Sequence, residues 1–226
     1  MSFWLGVYPA SIIVGVVVLL LRLIGLLRVR GHGLPRDLKS IMMVSNHPSL
    51  WEPIVLIGLF FSEYVFRPKR VPWSTPDQRN YVDAWYWGFF RERFIPVPRG
   101  NPAGTRRARL RIITTLKRGG SVIIFPEGGR TSKGDRFFFS RSGKRLREIK
   151  NGVGRIFCQT ACTVVPVWVD GGEKVLPIGT WFPRVWRGMT ITIGKSFRGE
   201  RRENPEKEDL ERGKKRIINA LLGIAG

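Results

Sequence analysis

At 226 residues the chain is long enough for one domain with a full core and short for two. Hydrophobic residues make up 43 % and charged residues 25 %, a balance that excludes a disordered chain. Lys and Arg number 39 against 17 acidic side chains, giving a formal charge of +22; this requires an anionic partner, whether nucleic acid, an anionic membrane surface or a phosphorylated substrate.

Positions 3–21 carry no charge, and 23–27 prolong the apolar run beyond Arg22. The run is close to the roughly 20 residues that a helix needs to cross hydrocarbon. Trp4 and Tyr8 suit one interface, while Arg22, Arg28 and Arg30 mark the other as cytoplasmic. There is no basic start and no small-residue cleavage site, which argues against a signal peptide. Residues 1–30 are therefore predicted as an N-terminal membrane helix, leaving 31–226 as a domain on the cytoplasmic face. A half-inserted amphipathic helix is the alternative, because Arg22 interrupts the run.

Beyond Gly31, short apolar runs alternate with helical stretches. Strands are predicted at 41–45, 64–66, 95–97, 121–125, 163–169 and 189–193. A helix is predicted over 105–117, with Leu110, Ile113 and Leu116 on one face and Gly119-Gly120 after its end. Further helices are predicted over 151–160 and from Pro205 to 222, and the basic, aromatic stretch 137–150 reads as a loop. The alternation predicts an α/β fold: a single layered domain with a mixed, mostly parallel sheet flanked by helices. Cys158 and Cys162 read as small buried hydrophobes, too close together for a useful structural disulfide. With no Cys/His cluster, no metal site is expected, and any imidazole chemistry falls to His32 or His47.

Three segments carry chemistry. Asn46-His47-Pro48-Ser49-Leu50-Trp51-Glu52-Pro53 follows a buried strand. Residues five apart diverge by about 140° on a regular helix, but a proline at the first helical position puts His47 in the turn before it. Glu52 can then fold back onto one imidazole nitrogen and leave the other free as a general base. The second segment, Phe125-Pro126-Glu127-Gly128-Gly129-Arg130, ends the strongest strand; successive glycines let backbone N–H groups approach an anion, and Arg130 offers a fork matched to phosphate. In the third, Ile95-Pro96-Val97-Pro98-Arg99-Gly100, an arginine again follows a strand.

Together and in this order the segments resemble the glycerolipid acyltransferase family, with Val164-Val165-Pro166-Val167 as its late hydrophobic-Pro strand. The resemblance runs over roughly residues 30–200. It implies transfer of a fatty acyl group from acyl-CoA or acyl carrier protein, with no bound cofactor, to a hydroxyl of a lysophospholipid, foremost 1-acylglycerol-3-phosphate, in phospholipid biosynthesis at a membrane. His47 would be the base and Glu52 its partner. Arg99, Arg130 and the Gly128 and Gly129 amides would hold the acceptor phosphate, with Glu127 orienting Arg130 or shaping the turn. Lys69 is the candidate for the family's phosphate-binding lysine, with Arg67 and Arg70 as competitors. The chain departs from the family pattern in having Glu52 where Asp is usual and Gly129 where Thr or Ser is common. Val175-Leu176-Pro177 and Phe182-Pro183-Arg184 resemble the transacylase branch, and a lyso-aminolipid acceptor is a further alternative.

Two basic clusters, Arg106, Arg107, Arg109 and Arg111, then Lys144, Arg145, Arg147 and Lys150, suit an anionic leaflet, coenzyme A phosphates or an acidic acyl carrier protein. Nucleic acid is not an expected partner: the 105–117 helix has no aromatic for base stacking. A non-catalytic lipid-binding module is disfavoured by the intact His47, Glu52 and Arg130.

Overall fold

The computed structural model describes residues 3–35, 39–77, 85–98, 100–177, 179–180, 182–199 and 201–226. β2 (Ile41–Ser45) is buried at every position, with Met42 and Val44 in one core and Ile41 and Met43 in the other. Parallel strands covered on both faces show this continuous apolar pattern rather than alternation. β2 pairs in parallel with β4 (Val122–Ile124) and β7 (Thr163–Asp170), and β3 (Trp73–Ser74) continues the parallel run past β4. On the other side β8 (Met189–Ile193) runs antiparallel to β7, and β1 (Leu27–Gly31) lies parallel to β8. With β9 (Phe197–Arg198) antiparallel to the start of β7, the order is β1-β8-β7-β2-β4-β3. The predicted mixed, mostly parallel sheet is thus observed.

Helices cover both faces. α1 (Val7–Leu23), α2 (Glu52–Gly58) and α3 (Phe61–Tyr64) pack on one. α4 (Pro102–Lys117), α5 (Gly152–Thr160) and a C-terminal helix (Lys207–Ile224) pack on the other. α4 begins where Asn101 accepts a hydrogen bond from the Gly104 N–H at 2.8 Å, with Pro102 at the first helical position, as helix starts favour. Its buried stripe is Ala108, Ile112, Ile113 and Leu116; Leu110, predicted to face inward, is 52 % exposed. It lies 200° from Ala108 on the helical wheel, beyond the stripe.

Other local predictions are corrected. Tyr64 ends a helix rather than opening a strand. Residues 95–97 run parallel to 74–77, joined by the Ile95 N–H to Ser74 O and the Val97 N–H to Pro76 O, both at 2.9 Å; Pro96 and Pro98 lack the N–H that a full ladder needs. The supposed loop 137–150 contains an antiparallel hairpin, β5 (Phe137–Phe139) and β6 (Arg145–Arg147).

The expected membrane-spanning helix is not found: among the described residues, no helix is long and apolar enough to cross a membrane. Residues 27–30 belong instead to the edge strand β1, which leaves α1 with 17 residues, about 26 Å at 1.5 Å per residue against a core of about 30 Å. One side of α1 is docked, burying Val7, Ser11, Gly15 and Val18, and the Tyr64 hydroxyl donates to Ser11 O at 2.6 Å. The other side exposes Ile13, Val16, Val17, Leu20 and Leu23. Contact on the docked side requires glycine: a Cβ on Gly15 would lie 2.0 Å from the Phe61 ring, and one on Gly58 would lie 2.4 Å from Val18. Gly15→Leu should therefore lower the unfolding free energy by about 1–3 kcal/mol through overpacking. Helix propensity alone would raise it by about 1 kcal/mol, so the sign of the change in a denaturant titration decides whether α1 is docked in solution.

Candidate active site

At the end of β2, the Asn46 side chain donates to Val169 O at 2.9 Å and accepts from Val169 N–H at 2.7 Å. This two-way bond fixes the direction in which the chain leaves the sheet. His47 follows, 7 % exposed, its ring stacked on Phe125 with centroids 4.4 Å apart. The turn through Pro48 brings Glu52, the first residue of α2, to His47: Nδ1 stands 3.1 Å from Glu52 Oε2. Glu52 is fully buried, and its carboxylate also accepts from the Ser49 N–H at 2.9 Å and the Ser49 hydroxyl at 2.5 Å. With Nδ1–H donating to Glu52, Nε2 carries the free lone pair. The longer Glu is accommodated because Gly172, which opens the short helix α6 (Gly172–Val175) after β7, has no side chain; a Cβ there would lie 2.3 Å from Glu52 Oε1.

The glycine turn follows β4. Gly128 adopts φ +65, which favours glycine. Glu127 is completely buried. Its Oε1 accepts from the His47 N–H and the Thr131 hydroxyl, each at 2.8 Å, and its Oε2 accepts from the Arg147 N–H at 3.1 Å. Burial pushes its pKa up to about 7, against the opposing pull of those hydrogen bonds. The sequence grouped Glu127 with the phosphate ligands. Its oxygens are taken by protein donors, and it is not among the residues lining the cavity beside it, so its place is that of a brace for the turn.

That cavity, of about 620 Å³, opens at the C-terminal ends of β2 and β4, where parallel α/β sheets hold ligands. Leu50, Val97, Ala108, Ile112, Val153 and Ile156 give it apolar lining. His47, Gly128, Gly129 and Arg130 line it too, with Arg109, Lys133, Arg147 and Lys150 and one acidic residue, Asp77. Among the described residues, none of these five cations pairs with a carboxylate.

His47, Glu52, Gly128, Gly129 and Arg130 are thus gathered at one place. Lys69 is not: it is exposed in the turn Pro68–Arg70 and is absent from the cavity wall. Arg99 lies outside the described residues, although Pro98 and Gly100 on either side line the cavity. Lys150 and Arg147 were missed as site residues, being read only as members of a basic cluster. The Lys150 N–H donates to Pro126 O at 3.0 Å, and its stem crosses Gly128, where a Cβ would lie 3.3 Å from Lys150 Cγ. The sequence signal was the basic run after the glycine turn; what it lacked was the hairpin that folds the run back. Arg109 was visible only as one of several arginines on a helix, yet its Nε is buried without a partner. Burial, then the neighbouring Arg155 and Arg106, lower its pKa.

A histidine–carboxylate pair at the strand ends of an α/β sheet, beside a cavity lined by apolar and cationic side chains, has the geometry of a general-base group-transfer site. Residues 27–170 match the acyltransferase family, more than half of the chain, and the chain belongs to that family of enzymes. It is 29 % identical over 149 residues to the chloroplastic 1-acyl-sn-glycerol-3-phosphate acyltransferase BAT2 of Brassica napus, covering 66 % of this chain and 38 % of that protein. It is 28 % identical over 149 residues to the chloroplastic 1-acyl-sn-glycerol-3-phosphate acyltransferase LPAT1 of Arabidopsis thaliana, covering 66 % and 37 %. The chain thus aligns with well under half the length of these curated relatives. The crystal structure of the 1-acyl-sn-glycerophosphate acyltransferase PlsC from Thermotoga maritima superposes with a TM-score of 0.54 at 20 % identity, covering 88 % of this chain and 72 % of that one, a likeness of fold.

The contact at Gly172 yields a test of the dyad. Gly172→Ala should push the Glu52 carboxylate off His47, and losing a charge-assisted hydrogen bond costs about 1.5–3 kcal/mol, or roughly 10–150-fold in rate. The expected outcome is a fall of that size in kcat, measured below the variant's unfolding transition, together with a lowered melting temperature, since overpacking and a displaced buried carboxylate both destabilise; wild-type kcat would show that Glu52 need not touch the imidazole.

Proposed function

We propose that the chain transfers a fatty acyl group from a thioester donor, acyl-CoA or acyl carrier protein, to a hydroxyl of a lysophospholipid, foremost 1-acylglycerol-3-phosphate. The observation that carries this reading is the cavity, where a buried His47–Glu52 pair meets a lining that holds apolar side chains and, among the described residues, five cations with no carboxylate salt bridge. An acyl chain fits the first and a phosphate the second. The names of the plant relatives support the same acceptor.

In this mechanism His47 Nε2 takes the acceptor's hydroxyl proton as the oxygen attacks the thioester carbonyl. Glu52 stabilises the imidazolium, which returns the proton to the departing thiolate. Arg130, the Gly128 and Gly129 amides, Lys150 and Arg147 hold the acceptor's phosphate and so place its hydroxyl at His47, with Arg99 assigned to the same role. The exposed apolar side of α1 rests on the lipid surface as a half-inserted helix, keeping the domain where a single-chain lipid resides.

Purified protein offered a panel of lysolipids with acyl-CoA and acyl carrier protein donors should yield diacyl products by mass spectrometry, with a phosphate-monoester acceptor preferred. His47→Ala should lower the rate by about 10²–10⁴-fold, and more than a tenth of wild-type activity would exclude it as the base.

The cations separate Lys150 from Lys69. Arg130→Ala and Lys150→Ala should each raise the acceptor KM by roughly 10–150-fold, as loss of a charged hydrogen bond implies, with the donor KM little changed. Lys69→Ala should leave both constants as they are. An acceptor KM that moves with Lys69 and not with Lys150 would return the phosphate site to the turn after α3.

A further inference from the structure

α4 carries Arg106, Arg107, Arg109, Arg111 and Lys117 and no acidic residue. Ala108, Ile112 and Leu116 bury its inner stripe; at 100° per residue Arg107 and Lys117 fall on the opposite side, with Arg106 and Arg111 at its margins. These four are exposed, as is Arg155 on the adjoining helix α5, and Leu110, 52 % exposed, lies among them. Among the described residues none of the five exposed cations has a carboxylate partner. Their repulsion opposes folding and reaches Arg109, whose pKa Arg155 and Arg106 help to lower after burial. A like-charge surface of this kind is relieved by an anionic partner.

Two polyanions compete, a lipid leaflet and an acidic protein. Alternate residues of β2 assign α4 and α1 to opposite faces of the sheet. With the apolar side of α1 on lipid, the outer side of α4 stands beyond the sheet and a helix diameter of about 10–12 Å. That exceeds the Debye length of about 8 Å at physiological salt, so the leaflet does not serve this surface. A free thioester donor carries too few phosphates to answer a row of this many cations. The row from Arg106 to Lys117 spans about 17 Å, which matches a protein face instead. The inner side of the same helix supplies Thr105, Ala108, Arg109 and Ile112 to the cavity, so a partner seated outside is one helix away from the reacting atoms.

We propose that the outer face of α4, with Arg155 of α5, docks an acidic acyl carrier protein, whose pantetheine arm delivers the thioester into the cavity past Arg109. This rests on the acyl-transfer reading above and names its donor. The test compares wild type with the charge-reversed variant Arg106→Glu/Arg107→Glu/Arg111→Glu, giving each the same acyl chain on coenzyme A and on acyl carrier protein. Electrostatic steering contributes about 10–10³-fold to association, so kcat/KM with the carrier protein should fall at least about tenfold in the variant. Transfer from acyl-CoA should stay within about twofold, and added salt should slow the wild-type carrier reaction more than the wild-type acyl-CoA reaction. Equal losses with both donors would overturn the proposal. So would a carrier reaction that survives charge reversal while binding to phosphatidylglycerol vesicles is lost, which would make α4 a lipid surface. Titration calorimetry of carrier protein with wild type keeps the two readings apart: binding without transfer from either donor refutes acyl transfer alone, and no binding refutes the docking.

Discussion

A carboxylate withdrawn from water is costly unless its lone pairs are met, and at Glu127 they are met by the His47 N–H, the Thr131 hydroxyl and the Arg147 N–H. These donors come from three places: the exit of β2, the end of the glycine turn, and the strand β6. One side chain thereby sets the position of the imidazole backbone relative to the phosphate turn and to the hairpin that carries the added cations. The Thr131 N–H closes the loop by donating to His47 O at 2.9 Å. Burial still outweighs the bonds and the charge of the nearby Arg147, raising the pKa to about 7.

The same economy explains what the sequence disclosed and what it withheld. His47 and Glu52 lie five apart, and Phe125 to Arg130 is one continuous turn; their geometry is local, so residue order and proline placement were enough to read it. β2, β4 and β7 were legible because a parallel strand covered on both faces is apolar throughout. Lys150 sits twenty positions beyond Arg130 and reaches Gly128 only because 137–147 fold as a hairpin. That hairpin has three consecutive phenylalanines on one strand and Arg-Leu-Arg on the other, with too little alternation to announce it. Lys69 failed for the converse reason: proximity to a strand in sequence does not determine on which end of the sheet a turn emerges. The apolar run at the N-terminus had the composition of a membrane span, and composition cannot reveal that its last residues pair with β8 as β1, or that Gly15 and Gly58 let α1 sink onto α2 and α3.

Two exposed surfaces on opposite faces of the sheet differ in kind. The open side of α1 is mostly aliphatic and lies on the β2 face that Ile41 and Met43 occupy. The outer side of α4 is mostly cationic, with Leu110 among the charges, and lies on the face of Met42 and Val44. Between them, at the strand ends, the cavity is lined by both apolar and cationic side chains. Such a division suits a reaction whose acceptor is anchored by a hydrocarbon chain and whose donor arrives through water, since each can approach from its own side and meet only at His47.

Charge then links site and stability. A chain of +22 repels itself in the folded state, and the cavity concentrates Arg109, Arg130, Lys133, Arg147 and Lys150, none of them in a carboxylate salt bridge among the described residues. Pairing them internally would remove the repulsion, but it would also fill the lone positions that a phosphate needs, because a guanidinium already bound to a carboxylate offers its fork to nothing else. Of the acids that lie near, Glu52 is spent on His47 and Glu127 on backbone and hydroxyl donors, while Asp77 lines the cavity itself. Both buried carboxylates are thus committed to positioning, and the described lining keeps five cations against one acidic residue.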